Sequence, residues 1–347
     1  MEEKSKYYDG TKLLSMKDIN GNKPWIYVCT SNRSAGKTTW WARYLTNKFI
    51  KQGKKFMLLY KFAYEIDNVH EKFFKDVQKL FFPGYLMQST LKEKGVYAEL
   101  TLNGAPCGYA TALNKSEAVK KLSHMFSDTE AIFMDEFQSE TNTYVPKELQ
   151  KFLSIYKSVA RGNGEMMRYV PVYMVSNPVT LLNPYYIGMN ITSRLRNDTK
   201  FLKGDGFVIE QGYNEAAAEA QEDCGVFRAF KDDKYVAYSK QGVYLNDNLA
   251  FIGKPVGFGR YLCTIKYEGV NYGVREYQED GVVYCDNRAD ESFPLKITVT
   301  TEDHDINYVM LKTNSMTLSL LRYYFDKGCF RFKDIRCKEA ILNALSY

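Results

Sequence analysis

The chain has 347 residues, 45% of them hydrophobic, which is ample for a packed core and points to two domains or one large domain with an appendage. Its net charge of +6 is compatible with a nucleic-acid partner without demanding one. Seven scattered cysteines without a C-x-x-C pair, and three histidines off metal-ligand spacing, exclude a disulfide framework, a zinc site and a histidine-centred active site; no signal-peptide pattern or apolar run of the ~20 residues that a membrane span needs occurs, so a soluble, cytoplasmic protein without a membrane partner is expected.

Trp25-Ile26-Tyr27-Val28-Cys29 is a β-branched and aromatic run, expected to be a buried parallel strand. Ser31-Asn32-Arg33-Ser34-Ala35-Gly36-Lys37-Thr38 follows, and a helix is expected from near Lys37 through Trp40, Trp41, Tyr44, Leu45 and Phe49. Between a strand and a helix, that octet reads as a phosphate-binding loop whose first glycine is replaced by Ser31. Backbone N–H groups and the helix N-terminus would face a β-phosphate, and Gly36 would admit the anion close to the backbone. Lys37 would reach the β- and γ-phosphates, and the Thr38 hydroxyl would hold Mg²⁺. ATP and Mg²⁺ are therefore the expected ligands, with Ser31 through Thr39 as the nucleotide-binding segment.

Phe56–Tyr60 is a second expected strand, and Asn103-Gly104 sits between two strand-like runs as a hairpin turn. Ser116 caps a short helix. Ala131-Ile132-Phe133-Met134-Asp135-Glu136-Phe137 is an apolar strand ending in two carboxylates, which an ATPase needs opposite its phosphate loop. Asp135 would join the Mg²⁺ shell, and Glu136 would orient or deprotonate the attacking water. A helix is expected over 146–159, followed by Arg161 and the turn Gly162-Asn163-Gly164. Helix-end position alone reads Arg161 as a surface arginine favoured by the helix dipole. Val170–Val175 is a strand whose Pro171 demands an edge or a strand start, and it ends at Ser176-Asn177, placed to sense a γ-phosphate.

This order gives an α/β sheet with helices on its faces over roughly the first two hundred residues. From about Val226 the pattern is β-rich, with strands expected at Tyr261–Tyr267, Tyr272–Tyr277, Val282–Cys285 and Ile297–Thr300, and closing helices at 317–325 and 334–345. Two basic clusters interleave with aromatics. One is Arg194, Arg196, Lys200 and Lys203; the other surrounds Tyr323, Tyr324, Phe325, Phe330 and Phe332 with Arg322, Lys327, Arg331, Lys333, Arg336 and Lys338. Either could contact phosphates or be a solvated face over a packed aromatic core.

Taken together, S-N-R-S-A-G-K-T at 31–38, A-I-F-M-D-E-F at 131–137, Y-V-P-K-E-L at 144–149, S-V-A-R-G-N-G at 158–164 and M-V-S-N-P at 174–178 resemble the DNA-packaging ATPases of phi29-like tailed phages, relatives of terminase large subunits. The resemblance covers nearly the whole chain. It implies an additional-strand, RecA/terminase-like P-loop NTPase domain, here 1–205, and a linker, 206–228. A smaller α+β ribonuclease-H-like domain, 229–347, would then contact nucleic acid or the portal. It makes Arg33 the arginine carried inside the phosphate loop, Glu136 the catalytic glutamate, Arg161 a finger acting in trans, and Ser176-Asn177 a coupling motif. It implies translocation of double-stranded DNA into a procapsid by a homo-oligomeric ring, commonly a pentamer, docked on the portal, with a packaging RNA as a further candidate partner.

A nuclease of that second fold needs an aspartate inside its first strand to hold paired metals. Tyr261–Lys266 has none, and Asp286, Asp290, Asp303 and Asp305 are scattered, so no nuclease activity is expected. The competing classes are another P-loop DNA translocase or helicase, and a nucleotide-binding module without turnover, which Ser31 supports best.

Overall fold

The apolar run Ile26–Thr30 forms strand β1, an interior strand of a nine-stranded sheet. In this computed structural model the described residues are 7–345 except 142, 163, 193, 196–198, 234, 237–238, 240–250 and 312–313. They fall into two compact units, Met1–Gly188 with Leu195–Asn246, and Met189–Arg194 with Asp247–Tyr347.

In chain order the first unit holds α1 (Thr11–Ser15), β1, α2 (Lys37–Gln52), β2 (Lys55–Tyr60), α3 (Val69–Phe81), β3 (Met87–Lys92), β4 (Tyr97–Leu102), β5 (Ala105–Ala112) and α4 (Ser116–Lys121). It continues with β6 (Thr129–Asp135), α5 (Glu148–Val159), β7 (Val172–Ser176), α6 (Pro184–Gly188), β8 (Phe201–Gly204), β9 (Phe207–Gln211), α7 (Glu215–Glu222) and α8 (Gly225–Ala229). The sheet order is β3-β4-β5-β2-β6-β7-β1-β9-β8. Strands β5, β2, β6, β7, β1 and β9 run parallel, and antiparallel strands close both edges. β7 lies between β1 and the acidic strand β6, which is the additional-strand arrangement that the resemblance implies.

Parallel strands covered on both faces read as continuous apolar runs, and the central ones do. On one face Tyr27, Cys29, Phe56, Leu58, Phe133, Tyr173 and Val175 pack against Trp41 and Leu45 of α2 and Phe73 and Phe74 of α3. The Trp41 ring lies stacked on Tyr173, with centroids 4.4 Å apart, and so fixes α2 over β7. Pro171 directly precedes β7, a central strand, so of the two placements open to it the strand start is realised. The Asn103-Gly104 turn joins β4 to β5 with both residues at positive φ (49° and 80°), the twist that matches a right-handed hairpin.

Two features depart from the sequence reading. Residues 207–211, expected in a linker, form β9 and pair with β1 over its full length. The first unit therefore runs past residue 205; the alanine-rich acidic stretch that follows disguised a short buried strand as linker composition. α5 begins at Glu148 rather than at Pro146.

The second unit is a six-stranded mixed sheet in the order β14-β13-β10-β11-β12-β15, with β10 Arg260–Tyr267, β11 Val270–Tyr277, β12 Val282–Asp286, β13 Lys296–Thr298, β14 Val309–Met310 and β15 Phe330–Phe332. Helices Ser315–Asp326 and Ile335–Leu345 bury Leu318, Leu321, Ile341 and Ala344 in a core with Cys263, Ile265, Val274 and Phe332. Thr264 occupies the middle of β10, and Asp286 is held by Arg275 at 2.6 Å. Asp290 and Asp305 are engaged in local turns, and Asp303 accepts from Gly269 N. Among the described residues no cluster of three His, Cys, Asp or Glu is arranged to hold a metal, and no helix is long and apolar enough to cross a membrane.

The parallel β2–β5 contact leaves no room for a side chain at Gly108, where a Cβ would sit 2.0 Å from the Phe56 carbonyl oxygen. Gly108→Ala is expected to cost about 2–3 kcal/mol in chemical denaturation or to prevent folding. Gly253→Ala, where an added Cβ would meet no atom within 4 Å beyond the adjacent residues, should stay within about 0.5 kcal/mol of wild type.

Candidate functional site

The parallel register brings Thr30, Ser176 and Asp135 to the same edge of the sheet, the carboxyl ends of β1, β7 and β6. Ligand sites of open α/β sheets form at that edge. Residues 31–36 turn there from β1 into α2. Ser34 (φ 63°) and Gly36 (φ 86°) take the left-handed backbone conformation, which curls the loop around its own N–H groups and aims the N-terminus of α2 into the concavity. A cavity of about 1080 Å³ opens from this point, bounded by Ser34 to Thr39, Asp135, Glu136, Ser176 and Asn177. Tyr7, Trp40, Arg43 and Phe81 also line it, with Tyr7 close against Gly36.

Lys37 is nearly enclosed, and its Nζ donates to Ser31 O (2.9 Å), Ser31 Oγ (3.0 Å), Asn32 O (3.0 Å) and Asn177 Oδ1 (3.2 Å). Burial brings its pKa down to about 8. The serine standing where a glycine was expected thus supplies one of the oxygens that hold the loop lysine. Asp135 responds to burial in the opposite sense: its carboxyl is pushed up to about 6, against the hydrogen bond from Thr38 that favours its charge. Its Oδ1 also accepts from Glu136 N at 2.9 Å. Thr38 and Asp135 thus form a pair of hard oxygen donors beside the loop, a set that suits Mg²⁺.

Glu136 is solvent-exposed and has φ 50°, a conformation that costs a non-glycine residue energy and recurs at functional sites. Lys61 Nζ, from the residue after β2, donates to the Glu136 carbonyl at 2.8 Å and holds that turn. Ser176 is buried behind Asn177 and donates to the Asn177 carbonyl.

Arg33 does not point into the loop's concavity alone. Its guanidinium meets Glu140 at 2.8 Å and the Tyr235 hydroxyl, and lies over the Tyr235 ring. Asn32 and Asn214 exchange hydrogen bonds through their side-chain and backbone groups, Asn32 Nδ2 to Asn214 O (3.0 Å) and Asn214 N to Asn32 Oδ1 (2.9 Å). Gln221 Nε2 donates to Arg33 O, and Ser239 Oγ donates to Gln221 Oε1 at 2.6 Å. The segment expected to be a linker is therefore clasped to the phosphate loop. Ala35 is held from the other side, its carbonyl accepting from Tyr8 N at 2.8 Å.

Arg161 is not part of this constellation within the protomer. It is exposed at the end of α5, beside Gly162, whose added Cβ would meet Ser127. Arg168 ties the same turn to Thr129, the first residue of β6. The seven residues of β6 separate that end from Asp135, roughly 20 Å at 3.3 Å per residue. Of the first basic cluster, Arg194, Lys200 and Lys203 are exposed, and Arg196 lies outside the described residues, as does Asn163 of the Arg161 turn. In the second, Arg322 and Arg331 are spent on backbone carbonyls, and Lys338 is buried.

Lys61, Glu140, Asn214, Gln221 and Tyr235 were not singled out from the sequence. Glu140 stands four residues beyond Glu136, and Lys61 closes the strand next to β6, so position offered a signal for these two. Nothing local marks Asn214, Gln221 or Tyr235.

The opposed shifts set a pH window. The Lys37 charge is lost above about pH 8 and the Asp135 charge below about pH 6, so binding of a magnesium nucleotide is expected to peak between them in calorimetric titrations. Because the folded-state pKa of Asp135 lies above its ordinary 3.8, its contribution to stability is complete below about pH 4 and is lost as pH rises through 6. Asp135→Asn is therefore expected to raise stability by about 1–3 kcal/mol at pH 7 to 8, with the gain vanishing near pH 4, while weakening magnesium-dependent nucleotide binding.

Comparison with known proteins gives the chain's relatives. The DNA packaging protein of Bacillus phage phi29 is 25% identical over 334 residues, covering 95% of this chain and 94% of its own. That of Bacillus phage B103 is 21% identical over 321 residues, covering 91% and 93%. A solved structure of the bacteriophage phi29 viral genome packaging motor assembly shares the fold, with a TM-score of 0.70, 22% identity, and coverage of 99% of this chain and 98% of that one. The family model for podovirus DNA encapsidation protein (Gp16) matches residues 1–345, and the chain belongs to that family.

Proposed function

We propose that the chain is the ATP-driven motor of DNA encapsidation, hydrolysing ATP at the β1–α2 loop and coupling turnover to movement of double-stranded DNA. The observation that carries this reading is the convergence of Lys37, Thr38, Asp135, Glu136 and Asn177 at the carboxyl ends of three adjacent parallel strands. Chance would not deliver an enclosed lysine, a hydroxyl–carboxylate pair and an exposed carboxylate to one cavity.

Each residue has a task that its position supports. The loop N–H groups and Lys37 bind and orient the phosphates. Thr38 and Asp135 would hold Mg²⁺, which supplies charge neutralisation on the β- and γ-oxygens when bound. Glu136, solvent-facing at the strand tip, accepts a proton from the attacking water. Asn177 bonds Lys37, so a change at the γ-phosphate is felt at the end of β7. Trp40, Arg43 and Phe81 add aromatic and cationic groups to the lining of the same cavity, chemistry that suits a nucleobase. Ser31 does not favour a module without turnover, since its oxygens hold the lysine rather than displace it.

Arg161 lies too far from its own loop to act there, which supports action on the loop of a neighbouring subunit. A homo-oligomeric ring, commonly pentameric in the resemblance above, docked on a portal and assisted by a packaging RNA, is the assembly in which such sharing occurs. In the second unit, Thr264 in the middle of β10 and the Arg275–Asp286 pair support the absence of nuclease chemistry.

The test is ATP hydrolysis with and without duplex DNA. Wild type should hydrolyse ATP faster with DNA. Glu136→Gln is expected to lower kcat by about 10²–10⁴-fold with nucleotide binding preserved, and Arg161→Ala by about 10³-fold or more in the assembled protein. Undiminished turnover in Glu136→Gln would contradict the assignment of the base, and turnover indifferent to DNA would contradict the motor.

A further inference from the structure

At the opposite, amino-terminal edge of the first sheet, the fold gathers lysines that are far apart in sequence. A cavity of about 160 Å³ there is lined by Lys23 ahead of β1, Lys48 near the end of α2, and Lys54 and Lys55 at the start of β2, with Glu130 as its carboxylate. Lys55 is paired with Asp128 at 2.6 Å, and Lys54 stands 3.9 Å from Glu130. Among the described residues no carboxylate lies within ion-pair distance of Lys23 or Lys48. Lys23 instead lies 4.3 Å from the centre of the Tyr169 ring and Lys48 5.5 Å from that of Tyr44. Both tyrosines line the cavity, and Tyr169 is itself pinned by donating to Pro24 O at 2.8 Å.

An aromatic face positions an ammonium without cancelling its charge. Within the cluster Lys23 and Lys48 therefore present positive charge without a carboxylate partner, beside the paired Lys54 and Lys55, in the lining of a cavity large enough to admit a phosphate group. The arrangement works against itself without an anion: burial, and then the neighbouring Lys54, Lys48 and Lys17, push the Lys23 pKa down. Like charges brought together by folding cost stability, and a polyanion removes that cost while releasing its own counterions.

We propose that this lysine cluster is a contact for the phosphate backbone of duplex DNA, distinct from the nucleotide site at the other edge of the same sheet. It takes the identity of the polyanion from the DNA-packaging reading, and rests on its own geometry for the site. Neither basic cluster legible in the sequence contains any of these lysines.

The experiment is duplex DNA binding by the full-length protein over a range of salt concentrations, read as the slope of log K against log[salt]. The double variant Lys23→Gln/Lys48→Gln is expected to lose about 1 from that slope per lysine and to weaken binding equally for unrelated DNA sequences. Lys23→Arg/Lys48→Arg should keep the wild-type slope, and so should Lys120→Gln, an exposed lysine of α4. ATP hydrolysis without DNA should match wild type in the double glutamine variant, which separates a failed contact from a failed motor or a misfolded chain. An unchanged slope in the double glutamine variant overturns the proposal, as does an equal loss in Lys120→Gln. Binding of inorganic phosphate that is lost in the double variant while the DNA slope stays intact also overturns it, because the cavity would then serve a free anion.

Discussion

One ammonium organises the first unit. Lys37 Nζ gathers the carbonyl and hydroxyl of Ser31, the carbonyl of Asn32 and the side chain of Asn177, so the tip of β1, the loop and the tip of β7 are joined through a single enclosed cation. Burying that charge has a cost, visible in its lowered pKa, which four oxygen acceptors offset. The packing beneath it is equally specific: Trp41, four residues along the same helix, stacks on Tyr173 of β7. Helix, loop and strand are thus locked together at both ends of one helical turn, and the acidic tip of β6 is fixed beside them by register.

The clasp from 214–239 changes how that loop is understood. Asn214, Gln221, Tyr235 and Ser239 all bond the loop residues Asn32 and Arg33 or one another. Arg33 in turn reaches Glu140, four residues beyond the exposed glutamate. A shift of the loop around a bound phosphate would therefore act on two segments at once, the turn after β6 and the chain that leads away from the sheet.

Much of this was legible in the sequence. The strand–loop–helix run at 25–49, the acidic strand, the Asn103-Gly104 hairpin and the meander at 260–286 each announce themselves by local chemistry, because alternation, apolar runs and turn residues act over a few positions. Strand β9 did not: five residues pair fully with β1, yet the composition after them is that of a linker. The lysines at 23, 48 and 54 form a cluster only because α2 returns the chain to the start of the sheet. Ser31 was legible as a departure from pattern, but its use as an oxygen donor to Lys37 required the folded loop. Arg161 is the reverse case, a residue whose role was suggested by resemblance and whose distance from the loop in its own protomer is what makes a shared site coherent.

A shared site is tested most directly by mixing two inactive variants. On the proposed roles, Glu136→Gln lacks the base and keeps the finger, whereas Arg161→Ala keeps the base and lacks the finger. Assembled together on DNA, they should recover ATP hydrolysis well above the sum of the two alone, since some sites then combine an intact Glu136 with a neighbour's intact Arg161. If the mixture stays as inactive as its components under conditions where wild-type subunits assemble and turn over, Arg161 does not act across a subunit boundary and the account fails at its centre.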